Sequence, residues 1–204
     1  MTNRHPSELG AVILCGGQSR RMGQSKAWLP FGEEVLLQRM VRLVSRSVGP
    51  IVVVAAPEQD LPPLPDFVTL ARDAVADRGP LQGLATGLAA LPSGVEFAFA
   101  TSTDAPFLAE GWIPRLRERI GSGDLAIPLA QGYHHPLASL YRRSTCLSVI
   151  ENLLHQGRMR PMFLIEAVDT VVLTEGDFLD VDPELGSLRN LNTPEDYQRA
   201  LAVS

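Results

Sequence analysis

Leu14-Cys15-Gly16-Gly17-Gln18-Ser19-Arg20-Arg21-Met22-Gly23-Gln24-Ser25-Lys26 follows directly on the apolar run Ala11-Val12-Ile13-Leu14. A glycine-rich segment leaving a buried strand is a natural phosphate cradle. Glycine lets the backbone adopt positive φ and come close to a ligand, so that successive N–H groups can point at anionic oxygens. Arg20, Arg21 and Lys26 add full positive charge. Arginine grips phosphate in a bidentate fork, and lysine supplies a mobile point charge able to follow charge through a transition state. These are the parts of a nucleoside triphosphate site. The two common glycine fingerprints do not fit it. A P-loop requires Lys-Ser/Thr after its last glycine, whereas Gly23 is followed by Gln24 and Lys26 by Ala27. Gly16-Gly17-Gln18-Ser19-Arg20-Arg21 also breaks the Gly-x-Gly-x-x-Gly dinucleotide pattern.

Outward from this loop, short apolar strands alternate with helical patterns, which predicts a Rossmann-like α/β fold with a mostly parallel central sheet covered on both faces. Leu36, Leu37, Met40, Val41 and Val44 recur at helical spacing within residues 35–48, and Gly49-Pro50 ends that helix. Residues 51–54 form a β-branched strand, 57–65 a proline-rich loop and 67–70 a third strand. A helix starts at Gly79-Pro80-Leu81 and runs to about Leu91; residues 97–101, 124–128 and 137–141 read as strands and 145–155 as an amphipathic helix.

The bulk properties fit one such domain. A length of 204 residues with 45% hydrophobic and 20% charged content suffices for one well-buried core and is short for two. The net charge of −5 argues against a general nucleic-acid binder, which carries a basic face. No signal peptide opens the chain and no apolar run reaches membrane-spanning length, so the expectation is a cytoplasmic protein that contacts neither membrane nor nucleic acid. Cys15 and Cys146 are too few for a disulfide framework or zinc site and read as reduced thiols.

Residues 97–101 lead into Ser102-Thr103-Asp104-Ala105-Pro106. A carboxylate just past the carboxyl end of a parallel strand lies where open α/β sheets bind ligands, and Mg²⁺ is commonly held by one or two carboxylates together with substrate phosphates. Asp104 is therefore either a magnesium ligand or the cap of a turn before Pro106. In Asp73-Ala74-Val75-Ala76-Asp77-Arg78-Gly79-Pro80-Leu81, Asp77 reads as a helix cap, Pro80 as a first-turn proline, and Gly83 and Gly87 as packing residues. His134 and His135 point to opposite faces of a strand, which argues against a shared metal. Gly157-Arg158-Met159-Arg160 presents two arginines that either bind a phosphate or are solvated surface cations. Asp180-Val181-Asp182 has the spacing of a two-aspartate metal motif but reads as a structural turn. Thr193, Pro194, Glu195 and Asp196 form a helix start, whereas a strand would set Asn190 and Asn192 on one face, to no evident structural end.

The loop at residues 14–26 resembles the Leu-Ala-Gly-Gly, Arg-Met-Gly and Lys signature of the nucleotidyltransferase superfamily, and within it the molybdenum cofactor guanylyltransferase family, with Cys15 in place of the usual alanine. The likeness runs from about Ala11 to Leu201 in family order. It implies a nucleoside-diphosphate-sugar transferase-like fold, a single domain with a nucleotide half over about 10–110 and an acceptor half over about 111–204. The implied reaction moves GMP from GTP to molybdopterin with loss of pyrophosphate. It also implies Mg²⁺ on Asp104, catalysis by Lys26, Arg21 and Asp104, and nucleotide contacts from Leu14, Cys15, Gly16, Gly17, Lys26, Asp73, Gly79 and Asp104. On the acceptor side it points to His135, Arg158, Arg160, Asn190 and Asn192, with molybdoenzyme apoproteins or their chaperones as downstream partners. Two departures are visible: Thr103 replaces the family's cysteine, and Ala55 stands where the family has a nucleotide-contacting asparagine. Two rival readings remain. One is a sister transferase using CTP or another phosphorylated acceptor; the Gly-Pro-Leu and Asn-x-Asn-Thr-Pro-Glu segments lean to guanine. The other is a non-catalytic subunit that binds and delivers cofactor, against which stand Lys26 and Asp104.

Overall fold

The computed structural model of the chain describes residues 8–15, 25–73 and 79–202. In chain order these form β1 (Leu9–Leu14), a 3₁₀ turn (Lys26–Trp28), the hairpin β2 (Pro30–Phe31) and β3 (Glu34–Val35), α1 (Leu36–Ser45), β4 (Ile51–Ala55), β5 (Val68–Arg72), α2 (Pro80–Ala90) and β6 (Phe97–Ser102). There follow α3 (Trp112–Arg119), β7 (Leu125–Ala130), β8 (Tyr133–His134), β9 (Ala138–Arg142), α4 (Arg143–His155), α5 (Met162–Ala167), β10 (Thr170–Thr174) and α6 (Pro194–Leu201). The central sheet has the order β10-β7-β9-β6-β1-β4-β5, with β8 paired to β7. β1 is parallel to both neighbours, β9 runs antiparallel to β6 and β7, between which it lies, and the short β8 is antiparallel to β7.

Side-chain alternation along β1 divides the core into two layers. Ala11 and Ile13 face α1 and α3, packing with Met40, Val41, Val44, Trp112 and Leu116, while Val12 and Leu14 face α2, α4 and α5. Each face buries apolar surface worth roughly 25 cal/mol per Å², so a strand hydrophobic on both sides belongs at the middle of such a sandwich. Close packing of α2 on β1 depends on glycine: a Cβ on Gly87 would lie 2.2 Å from Val12 Cγ1, and one on Gly83 would lie 3.2 Å from Leu14 Cδ2.

Differences from the sequence expectations are local. Val35 belongs to the β2–β3 hairpin, because the turn at Gly32, with φ of 65°, folds it back against Pro30 before α1 begins. Gly79, with φ of 80° and no capping side chain, occupies the cap position of α2 assigned above to Asp77, and Pro80 takes the first turn as expected. Asp77 itself lies outside the described residues. Asn190 and Asn192 are not in a strand; both are exposed in irregular chain on either side of buried Leu191. Thr193 does cap α6, reciprocally with Asp196. Asp182 accepts from the N–H groups of Gly186 and Ser187, and Asp180 is bound by Arg115, so both carboxylates serve structure. Both thiols are free and buried, and burial pushes the pKa of Cys146 up to about 12.

A candidate nucleotidyl-transfer site

The chain passes from β1 to β4 and β5 on one side, then crosses to β6 on the other. The carboxyl ends of β1 and β6 therefore flank the switch point of the sheet, the place where open α/β folds leave a crevice. Thr103, one residue past β6, ties these ends together: its N–H and hydroxyl both donate to the Leu14 carbonyl, at 3.1 and 3.3 Å. Asp104 is the next residue. Its Oδ1 accepts from the Ser102 hydroxyl at 2.6 Å and its Oδ2 from Lys26 Nζ at 2.6 Å. The two charged side chains are 19% and 17% exposed, sheltered enough for the attraction to be stronger than at an open surface, yet still reachable by a ligand.

Lys26 is held in place by the residues just after it in the chain. Ala27 and Leu29 are buried, and Leu29, Phe31 and Leu36 form a small separate core with Leu191 and Ala200. The Tyr197 hydroxyl also donates to the Pro30 carbonyl. This satellite core draws the C-terminal segment onto the site, where the Leu191 N–H donates to the Asp104 carbonyl at 2.8 Å. Asn190 and Asn192 are thereby exposed next to Asp104, which sequence spacing alone could not arrange.

Asp73 lies just past β5, and one of its carboxylate oxygens accepts from the Thr86 hydroxyl of α2 at 2.6 Å. Gly79 is exposed at the start of α2. Leu14 and Cys15 are buried, so their side chains belong to the core, and burial raises the Cys15 thiol pKa. Gly16, Gly17 and Arg21 lie outside the described residues.

The acceptor-side residues reach the same edge of the sheet through the reversed strand. β8 pairs with the end of β7 and β9 with its beginning, and residues 135–137 leave the ladder between them. Ala138 pairs with Thr101, so this excursion flanks the strand end that carries Asp104. Interruptions of this kind re-aim side chains near functional sites. Here it is held from within: Ser139 Oγ donates to the His135 carbonyl and Tyr141 Oη to that of Pro136, both at 2.6 Å. Burial lowers the His135 pKa below its ordinary value, which favours the uncharged ring. Because β9 runs opposite to β6, α4 climbs back and delivers residues 157–161 to the carboxyl edge. Gly157, with φ of 72°, ends α4: its N–H donates to the Leu154 carbonyl and that of Arg158 to Leu153, a Schellman closure. Arg158 and Arg160 are exposed, and the Arg158 guanidinium lies 4.0 Å from the centre of the Phe163 ring.

Lys26 and Asp104 are thus in direct contact, Asn190 and Asn192 stand beside them, and Asp73 is turned onto α2. Three supporting residues escaped the sequence reading. Ser102 had a signal, since residues two apart at a strand end share a side; Thr86 and Gln59, whose side-chain amide donates to the Cys15 carbonyl, had none, because their partners are set by the tertiary fold. Among the described residues no group of three or more His, Cys, Asp or Glu side chains could hold a metal. A cation here would rest on a lone carboxylate and the oxygens of a bound phosphate, the donor set Mg²⁺ accepts. No helix among the described residues is long and apolar enough to cross a membrane.

A Rossmann-like sheet with a lysine–aspartate pair at its switch point suits nucleotidyl transfer, and the family that the sequence matches makes the protein a nucleotidyltransferase, an enzyme. Residues 11–171 match the family model described as the MobA-like NTP transferase domain. The chain is similar to a Mycobacterium tuberculosis protein named "Probable molybdenum cofactor guanylyltransferase", 36% identical over 173 residues that cover 83% of this chain and 85% of that one. A similar fold occurs in molybdopterin-guanine dinucleotide biosynthesis protein A from Archaeoglobus fulgidus, with TM-score 0.78, 21% identity, and coverage of 95% of this chain and 97% of that one. It occurs also in Rv0371C of Mycobacterium tuberculosis, solved in complex with manganese, with TM-score 0.62, 15% identity, and coverage of 96% and 99%. The chain belongs to the MobA-like NTP transferase family.

Proposed function

We propose that the protein transfers GMP from GTP to molybdopterin, making the guanine dinucleotide form of the cofactor and releasing pyrophosphate. The observation that carries this reading is the Lys26–Asp104 pair at the switch point, with the Asn190 and Asn192 segment bonded to Asp104 from the other side. The acceptor's terminal phosphate oxygen attacks the α-phosphorus of GTP. The bond from that phosphorus to the bridging oxygen breaks, and pyrophosphate leaves with the electron pair. The attacking group is already an anion at neutral pH, so no protein nucleophile or general base is assigned. Lys26 and Arg21 offset charge growing on the α-phosphoryl group and the leaving pyrophosphate, catalysis by positioning and fixed charge. Asp104 would hold magnesium, which when bound supplies further positive charge to the phosphate oxygens.

On this reading nucleotide is held over about residues 10–110, by the loop that begins at Leu14 and Cys15 with Gly16 and Gly17, and by Asp73 and Gly79. Guanine presents N–H donors, which call for carbonyl or carboxylate acceptors. Acceptor is held over about 111–204, the same domain, by His135, Arg158, Arg160, Asn190 and Asn192. A neutral His135 suits the uncharged ring system better than the phosphate. The cytoplasm is the proposed location, and molybdoenzyme apoproteins or their chaperones are the proposed recipients of product.

Pyrophosphate release measured with each of the four nucleoside triphosphates and purified molybdopterin tests the reading. Turnover is expected with GTP; preference for CTP would make the protein the sister cytidylyltransferase, and no turnover with any of them would overturn the proposal. For the acceptor, replacing both Arg158 and Arg160 with alanine should leave GTP affinity intact. Each charge-assisted bond to phosphate contributes roughly 1.5–3 kcal/mol, so the acceptor Kd should rise on the order of a hundredfold or more. Calorimetry with each ligand separately decides it, and unchanged acceptor affinity would make the arginines surface residues.

A further inference from the structure

Gln59 lies in the proline-rich loop after β4, among residues that show no chemical motif. Its side-chain amide is nonetheless fully engaged. Oε1 accepts from the Ala56 N–H at 3.1 Å, while Nε2 donates to the Cys15 carbonyl at 3.0 Å and lies 3.4 Å from the Ser25 hydroxyl. One amide thus joins three stretches of chain: the end of β1, the residue before Lys26, and the loop that leaves β4. The loop is itself fixed from the next strand, where Arg72 Nη1 donates to the carbonyls of Ala56, Pro57 and Gln59 at 2.8, 3.0 and 3.1 Å. Arg72 immediately precedes Asp73. Ala55, where β4 ends, offers no polar side chain, and the Gln59 amide follows four residues later.

We infer that Gln59 is a positioning residue for nucleotide, holding the Cys15 carbonyl at the end of β1 and the Ser25 hydroxyl at a set separation where nucleotide would bind. The inference rests on the proposed use of this edge of the sheet for a nucleoside triphosphate. A clamp of this kind requires donors on Nε2 and an acceptor on Oε1, which separates two variants of nearly unchanged length. Gln59→Met removes all the hydrogen bonds and keeps the shape. Gln59→Glu keeps the acceptor but sets a carboxylate against the Cys15 carbonyl.

Both variants should bind GTP about tenfold more weakly by calorimetry and show a KM for GTP raised to match, with the KM for molybdopterin unchanged. Arg72→Met, which frees the loop instead of the amide, should reproduce the shift, and combining it with Gln59→Met should add little, since both disable one support. Unchanged GTP affinity in folded Gln59→Met would overturn the inference. So would a drop in kcat alone with both KM values intact, the mark of a smaller folded fraction. If Gln59→Met does not fold, Gln59→Glu is read in its place; failure of both to fold would make Gln59 a determinant of stability and overturn the inference equally. Should the wild-type protein bind a different triphosphate, the proposed function fails on that result, and the Gln59 comparison is made with the triphosphate that binds.

Discussion

Asp104→Asn should leave the fold intact and reduce nucleotidyl transfer by at least roughly a hundredfold. The substitution keeps the outline of the side chain, and the acceptor oxygen it retains can still take the Ser102 hydroxyl. The bond that anchors the C-terminal segment goes to the Asp104 main-chain carbonyl and is untouched. What disappears is the negative charge. Lys26 loses its counter-ion, and the site loses the hard anionic oxygen that would hold a divalent cation against phosphate. Initial rates measured across a magnesium titration check this, with circular dichroism as the control for folding. Near-normal turnover at saturating magnesium would remove Asp104 from the metal site.

Lys26→Ala should lower kcat by roughly a hundredfold while the GTP Kd changes by less than about tenfold. The ammonium group is already satisfied by Asp104 before substrate arrives, so its gain on ground-state binding is small. Its value grows as charge accumulates on the phosphates during transfer, and interactions that strengthen only then act on kcat. Because Ala27 and Leu29 remain buried, the turn that carries residue 26 should hold its place. Single-turnover rates combined with calorimetric GTP affinity separate the two effects. A raised KM with kcat unchanged would make Lys26 an ordinary binding contact.

Both expectations began as sequence readings, and they were legible for a reason. The β1 stretch is apolar on both faces, the glycine-rich loop comes directly after it, and Asp104 stands just past another apolar strand. Strand periodicity and chain order are local properties, and parallel crossovers obey one handedness, so these features point to a Rossmann-like sheet with Lys26 and Asp104 at its carboxyl edge. The cap at Thr193 and the proline opening α2 are local in the same sense. Where local reading failed, a neighbour distant in sequence had intervened or the backbone had taken over a side chain's place. Val35 was drawn from helix into hairpin by Pro30, and Gly79 took the cap assigned to Asp77.

The sequence by itself thus determined the class of fold, the strand ends that carry the proposed site, and the residue types suited to phosphate. Only the tertiary structure decided how those ends are held. It set Ser102 and Lys26 on the two oxygens of Asp104, turned Asp73 toward Thr86, and placed a glutamine from the proline-rich loop between Cys15 and Ser25. It also reversed β9, so that α4 returns Arg158 and Arg160 to the carboxyl edge, and it seated Leu191 beside Asp104 through a small core shared with Leu29, Phe31 and Leu36. The physical reason is the range of the forces involved. Propensity and periodicity act over a few residues and are written along the chain, whereas side-chain hydrogen bonds and packing select partners by distance in space, which exists only once the sheet has assembled.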